Sequence, residues 1–133
     1  MTKLTIRLDF DSGSSIGPGK VQLLEAIETT GSIRRAAAET GMSFRQAWLL
    51  LKAVERMFDG PVVGSLRGGA KGGGSALTDL GRLIVASYRE LERSAEAGAK
   101  GAMGVLEARV RRAPVGRAKT VRSRMDRKSP RTI

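Results

Sequence analysis

Four consecutive side chains, Ser43, Phe44, Arg45 and Gln46, open an amphipathic stretch that runs to Phe58 and follows a glycine at Gly41. Their types suit the edges of base pairs. A guanidinium such as that of Arg45 donates in parallel to O6 and N7 of guanine, and a carboxamide such as that of Gln46 pairs with N6 and N7 of adenine. An apolar ring such as that of Phe44 can touch a thymine methyl group, or can equally serve as a core staple. Ser43 caps the helix, whose free N–H groups also suit a phosphate. Lys52 lies two turns on, on a similar side, within reach of a phosphate or else solvated. Arg34 and Arg35 open the preceding short helix, placed to meet the sugar–phosphate backbone beside the groove; the alternative is a solvated face. Trp48 and Leu49 read as packing residues.

A second constellation is Arg67–Ser75, RGGAKGGGS. Its glycines let a backbone approach a phosphate or a minor groove closely, and Arg67 and Lys71 add attraction. A nucleotide-binding loop is the rival reading, since Gly68 and Gly73 have the required spacing. Gly74 stands where such a loop needs its lysine, and a strand follows instead of a helix, so nucleotide binding is rejected.

These residues need a frame. Lys3–Phe10 alternates, with Leu4, Ile6, Leu8 and Phe10 on one side, and reads as a half-buried strand. Asp11–Lys20 is a loop, with Pro18 near the start of a helix over Lys20–Thr30. Val21, Leu23, Leu24 and Ile27 give that helix a wide apolar face, and Gly31 ends it. Ser32 caps a short helix, Ile33–Thr40. Gly41 reverses the chain, and Ser43 caps the third helix, Phe44–Phe58. In the third helix Ala47, Leu50 or Leu51, Val54 and Phe58 form the buried stripe. Ala37, Gly41 and Ala47, spaced by four and six residues, supply small groups where helices two and three cross. Val62–Leu66 and Ser75–Leu77 are strands joined by the glycine hairpin. Thr78 caps a helix reaching about Ala97. Leu80, Leu83, Ile84, Tyr88 and Leu91 recur on it, widened by Val85 and Ala86, which suggests a second partner surface. The fold class is α+β, mainly α: a winged helix-turn-helix with a three-helix core, a two-stranded wing, an N-terminal strand and a long C-terminal helix.

Composition narrows the function classes. The 133 residues include no cysteine and no histidine. Disulfides, thiolate nucleophiles, histidine bases and Cys/His zinc sites are excluded. No acidic cluster suggests another metal, no cofactor is expected, and no nucleophile–base pair supports an enzyme. No apolar run or leader indicates a membrane partner, so the chain reads as cytoplasmic and prokaryotic. The formal charge is +11. Residues 98–133 hold eleven Lys/Arg against two acids. They read as a basic tail after a 1–97 domain, with Ala102–Arg112 as a short helix and the remainder too polar to fold alone. Such a tail favours polyanions.

The segments GSIRRAAAETGMSFRQAWLLL and RGGAKGGGSALTDLGRLIVASYRELE resemble the DNA-binding domain of the ModE family of molybdate-responsive transcription regulators. They are more distantly similar to the LysR-type helix-turn-helix. The resemblance covers roughly Ile16–Arg93. It is carried jointly by Gly31-Ser32-Ile33, Ala36-Ala37, Met42–Trp48, Gly68–Gly74 and Leu77–Gly81. It implies a homodimer of winged helices joined through the first and last helices, on Leu24, Ile27, Leu83, Ile84, Tyr88 and Leu91. It also implies a palindromic double-stranded DNA operator, contacted through Ser43, Phe44, Arg45 and Gln46, with the wing at Arg67 and Lys71. Full-length members carry β-barrel molybdate-binding domains. Residues 98–133 show no alternating strands and no oxyanion motif, so the chain resembles the stand-alone form and molybdate sensing does not carry over.

The leading expectation is a dimeric, sequence-specific DNA-binding regulator. The alternative is an architectural protein that coats DNA through its basic tail. A small-oxyanion effector ranks below both.

Overall fold

Pro18 opens the first helix because its fixed φ suits the first turn and its missing N–H has no partner to lose there. The computed structural model describes residues 2–66 and 74–111. Helix α1, Pro18–Thr30, ends at Gly31, whose φ of 72° lets its N–H return to the Ile27 carbonyl at 2.8 Å. Ser32 starts α2, Ile33–Glu39, its hydroxyl accepting from the Arg35 N–H at 3.1 Å. Helix α3 is Phe44–Met57. Before α1, strands β1, Leu8–Asp9, and β2, Ser15–Ile16, pair antiparallel with Leu8 opposite Ile16. After α3, strands β3, Val63–Leu66, and β4, Gly74–Leu77, form an antiparallel pair with Val63 opposite Leu77. Helix α4 runs Asp79–Glu107. The described residues thus hold four helices and two small sheets in a winged-helix-like order.

The core draws on every layer. Val21, Leu23, Leu24 and Ile27 come from α1, Ala36 and Ala37 from α2, Ala47, Leu51 and Val54 from α3, and Ile84 and Tyr88 from α4. Ala36, Ala37 and Ala47 are essentially unexposed, so the three helices meet through methyl groups. Long side chains would hold their axes farther apart.

Polar ties close this core. The Val62 N–H donates to the Glu55 carboxylate of α3 at 3.0 Å, and the Val62 carbonyl accepts from the Thr78 N–H at 3.0 Å. The Thr78 hydroxyl donates to the Pro61 carbonyl at 2.7 Å and accepts from the Gly81 N–H at 3.1 Å, so it caps α4 while holding the chain that leaves α3. Arg89 forks onto both oxygens of Glu25 at 2.5 and 2.8 Å and also reaches Glu92 at 2.5 Å, joining α4 to α1. Hydrogen bonds to Glu25 and then Glu92 raise the Arg89 pKa further, so the guanidinium stays charged. Glu28 accepts from the Leu77 N–H at 3.0 Å and pairs with Arg82 at 3.2 Å. The Leu77 N–H, supported by Arg82, holds its carboxyl below the usual range. The Tyr88 hydroxyl donates to the Ile6 carbonyl at 2.7 Å, and burial raises its pKa.

Several expectations need correction. The N-terminal strand expected over Lys3–Phe10 is a ladder of two residues. Its alternation survives as burial, with Leu4, Ile6 and Leu8 turned inward and Lys3, Thr5, Arg7 and Asp9 outward. Phe10 is an exposed ring that meets Phe58 edge-on at 6.0 Å. Helix α4 does not stop near Ala97. It passes through Gly98, Gly101 and Gly104 to Glu107, because the intervening Ala, Lys, Met and Leu are strong helix formers. By its contacts the chain divides after Gly98, so the last turns of α4 belong to the second unit. Residues 113–133, expected as too polar to fold alone, lie outside the described residues together with Arg112.

Gly81 is a packing requirement. A Cβ there would enter the Val62 carbonyl oxygen, which is backbone and already held at both sides. Gly81→Ala should therefore lower stability by about 1–3 kcal/mol despite the better helix propensity of alanine. Gly101 has open space around it. Gly101→Ala should instead raise stability by up to about 1 kcal/mol. Thermal unfolding of the two variants checks the opposite signs.

Candidate nucleic-acid interface

Helices α2 and α3 are joined by a turn that their own sequence specifies. Gly41 has φ 77°, and the Met42 N–H donates to the Ala37 carbonyl at 2.8 Å. The Thr40 hydroxyl donates to the Ala36 carbonyl at 2.8 Å and closes the end of α2. Ser43 then starts α3 through a reciprocal pair. Its hydroxyl accepts from the Gln46 N–H at 3.1 Å, and the Gln46 side-chain carbonyl accepts from the Ser43 N–H at 2.9 Å. Two free donors of the helix start are satisfied at once.

Helical geometry sorts the remaining side chains of α3. At 100° per residue, Arg45, Leu49, Lys52 and Arg56 fall on the face opposite the buried Ala47, Leu51 and Val54. Phe44 and Trp48 flank that outer face and are 40% and 44% exposed, so neither packs in the core. The alternative of Phe44 as a core staple is thereby removed, and Trp48 and Leu49, expected as packing residues, are corrected to surface residues. The Arg34 guanidinium lies 4.5 Å from the Phe44 ring centroid. The Lys52 ammonium lies 4.7 Å from the Trp48 ring centroid and 3.5 Å from Glu55. These cations hold the rings in place while remaining at the surface.

Charge pairing separates the described arginines of this surface from those elsewhere in the first unit. Arg7, Arg82, Arg89 and Arg93 each form an ion pair with a carboxylate. Among the described residues Arg34, Arg35, Arg45 and Arg56 form none. Four uncompensated guanidinium groups therefore lie on two successive helices, with their donors available to an anion. Beside them, Lys52, Ser65 and Ser75 border a polar cleft of about 150 Å³ between α3 and the β3–β4 pair. Arg67 and Lys71, the expected wing contacts, lie outside the described residues.

The structure gives Gln46 a second role. Bidentate pairing with adenine uses the carboxamide oxygen as acceptor and its nitrogen as donor. The oxygen here accepts from the Ser43 N–H, so Gln46 also positions the helix start. The spacing Ser-x-x-Gln at a helix entry was the signal for this role.

The expected subunit surface also divides. Leu24 and Ile27 are fully buried in the protomer's own core and offer nothing to a second copy, while Ile84 and Tyr88 are 7% and 2% exposed. Leu83 and Leu91 are exposed, and with Leu8, Phe10 and Phe58 they border an apolar groove of about 250 Å³.

No family model matches the chain. It is 45% identical over 85 residues to the molybdenum transport protein ModE of Azotobacter vinelandii, covering 64% of this chain and 32% of that protein. It is 41% identical over 81 residues to the molybdenum-pterin-binding protein MopB of Rhodobacter capsulatus, covering 61% and 30%. Identity to the DNA-binding transcriptional dual regulator ModE of Escherichia coli K12 is 31% over 71 residues, covering 53% and 27%. The chain spans about a third of the length of the curated relatives it matches.

Two substitutions test the helix start. Ser43→Ala should cost about 1 kcal/mol of stability. Gln46→Glu preserves the reciprocal acceptor and should leave the urea unfolding midpoint unchanged.

Proposed function

Since the matched part of this chain belongs to the ModE family, we propose that the protein is a sequence-reading regulator of transcription that binds double-stranded DNA as a homodimer. The observation that carries this reading is the set of unpaired arginines on α2 and α3. Arg45 stands in the first turn of α3, where a recognition helix meets base edges. Arg34 and Arg35 open α2, the helix that crosses the backbone in a helix-turn-helix, and serve as phosphate contacts. Lys52 serves the same role further along the groove. The wing contacts Arg67 and Lys71 and the basic residues beyond Gly98 add sequence-independent attraction. In this reading the protein has no catalytic role.

Pairing of two copies runs through the outer face of α4, on Leu83 and Leu91, and the adjoining apolar groove. The resulting two-fold axis matches a palindromic operator, with half-sites about 34–36 Å apart. A molybdate-like effector is not part of the proposal.

Binding sites selected from a random duplex pool, followed by anisotropy titration at matched salt, test the proposal. Arg45→Ala should lose about 1–3 kcal/mol at one position per half-site and tolerate other bases there. Arg34→Ala should weaken all duplexes alike and flatten the salt dependence. Equal affinity of the unaltered protein for selected and scrambled duplexes would instead support an architectural binder. Leu83→Glu should convert the dimer to a monomer in sedimentation velocity; an unchanged mass would move the interface elsewhere.

A further inference from the structure

Leu49 is 52% exposed on the outer face of α3, in line with Arg45, Lys52 and Arg56. A single exposed leucine is ordinary. Leu49, however, stands on a helix face whose other members, Arg45, Lys52 and Arg56, are all cationic. The sole acid of α3 is Glu55, and its carboxylate is occupied by the Val62 N–H and Lys52. A partner for this face must therefore be anionic and must also present a small apolar group among polar ones. The major groove of duplex DNA meets both conditions, because each thymine displays a C5-methyl group between phosphate walls.

We propose that Leu49 is a specificity-determining residue that packs on a thymine methyl group in each half-site. The proposal rests on the DNA-reading function above. Arg45 and Leu49 stand on the outer face of α3 opposite its buried stripe. These residues are separated by about 6 Å along the helix axis, which is roughly two base-pair steps. Arg45 and Leu49 thus read different base pairs of one half-site, a hydrogen-bonded purine edge and a methyl group.

The test uses the full chain and the duplex selected above. Each thymine of the half-site is replaced in turn by deoxyuridine, which removes the methyl group and leaves the hydrogen-bonding edges intact. One position should weaken binding of the unaltered protein about fourfold, the effect of one buried methyl-sized group. Leu49→Ala should weaken binding to the thymine duplex similarly and should no longer distinguish thymine from deoxyuridine at that position. Its unfolding temperature should match that of the unaltered protein, because Leu49 is outside the core. Insensitivity to deoxyuridine at every position, or the same thymine preference in both proteins, overturns the proposal. So does a fall in oligomeric mass on Leu49→Ala, which would show that another copy covers the patch. Failure to select any preferred duplex is a separate result and removes the DNA-reading premise itself.

Discussion

The backbone of Val62 is the point on which the arrangement depends. Its N–H is held by Glu55 from α3, its carbonyl by the N–H of Thr78, and the same carbonyl lies against Gly81 of α4. Its side chain is fully buried. Three elements thus converge on a single peptide segment: the end of the outward-facing helix, the root of the hairpin and the start of the last helix. A displacement here would rotate α3 relative to β3 and β4. The arrangement also explains the otherwise arbitrary motif Leu77-Thr78-Asp79-Leu80-Gly81. Leucine fills the core, threonine bonds on both sides, and glycine leaves room for the carbonyl.

With that joint fixed, surface chemistry divides cleanly. On α4, Arg82, Arg89 and Arg93 are spent on pairing with carboxylates, and Arg82 and Arg89 thereby hold α4 against α1. On α2 and α3, Arg34, Arg35, Arg45 and Arg56 have no such partners and retain their capacity for an external anion. The division is positional and not compositional, since both groups are arginine-rich. Net charge alone would have attributed anion binding to the basic residues beyond Gly98.

Much of this was legible in the sequence where local chemistry decides the outcome. Gly31, Ser32, Gly41 and Ser43 each fix a helix boundary through their own backbone preference or hydroxyl, and the helices begin and end beside them. The candidate arginines likewise stand on exposed first turns. Properties set by neighbours distant in the chain were less readable. Leu24 and Ile27 looked available for a subunit contact, but α1 is surrounded by the protomer's own elements and keeps no free apolar side. Trp48 and Leu49 looked like core residues by type, although the phase of Leu49 opposes Ala47 and Leu51 and that of Trp48 falls between the two faces. The glycines of α4 suggested an end where helix formers on either side sustain continuity. Gln46 has a side chain suited to two tasks, and the distance to the Ser43 N–H reveals the capping one.

The bonds that secure α4 have a consequence for how the chain assembles. They join residues far apart in order: Glu28 with Leu77, Glu25 with Arg89, and Ile6 with Tyr88 across a separation of 82. The contacts among α1, α2 and α3 are local by comparison and carry a smaller loop-closure cost. On a growing polypeptide the three short helices can therefore gather as soon as they emerge, whereas the apolar residues awaiting Ile84 and Tyr88 remain wet until α4 is made. The segment around Ile6 is synthesised first and fastened last.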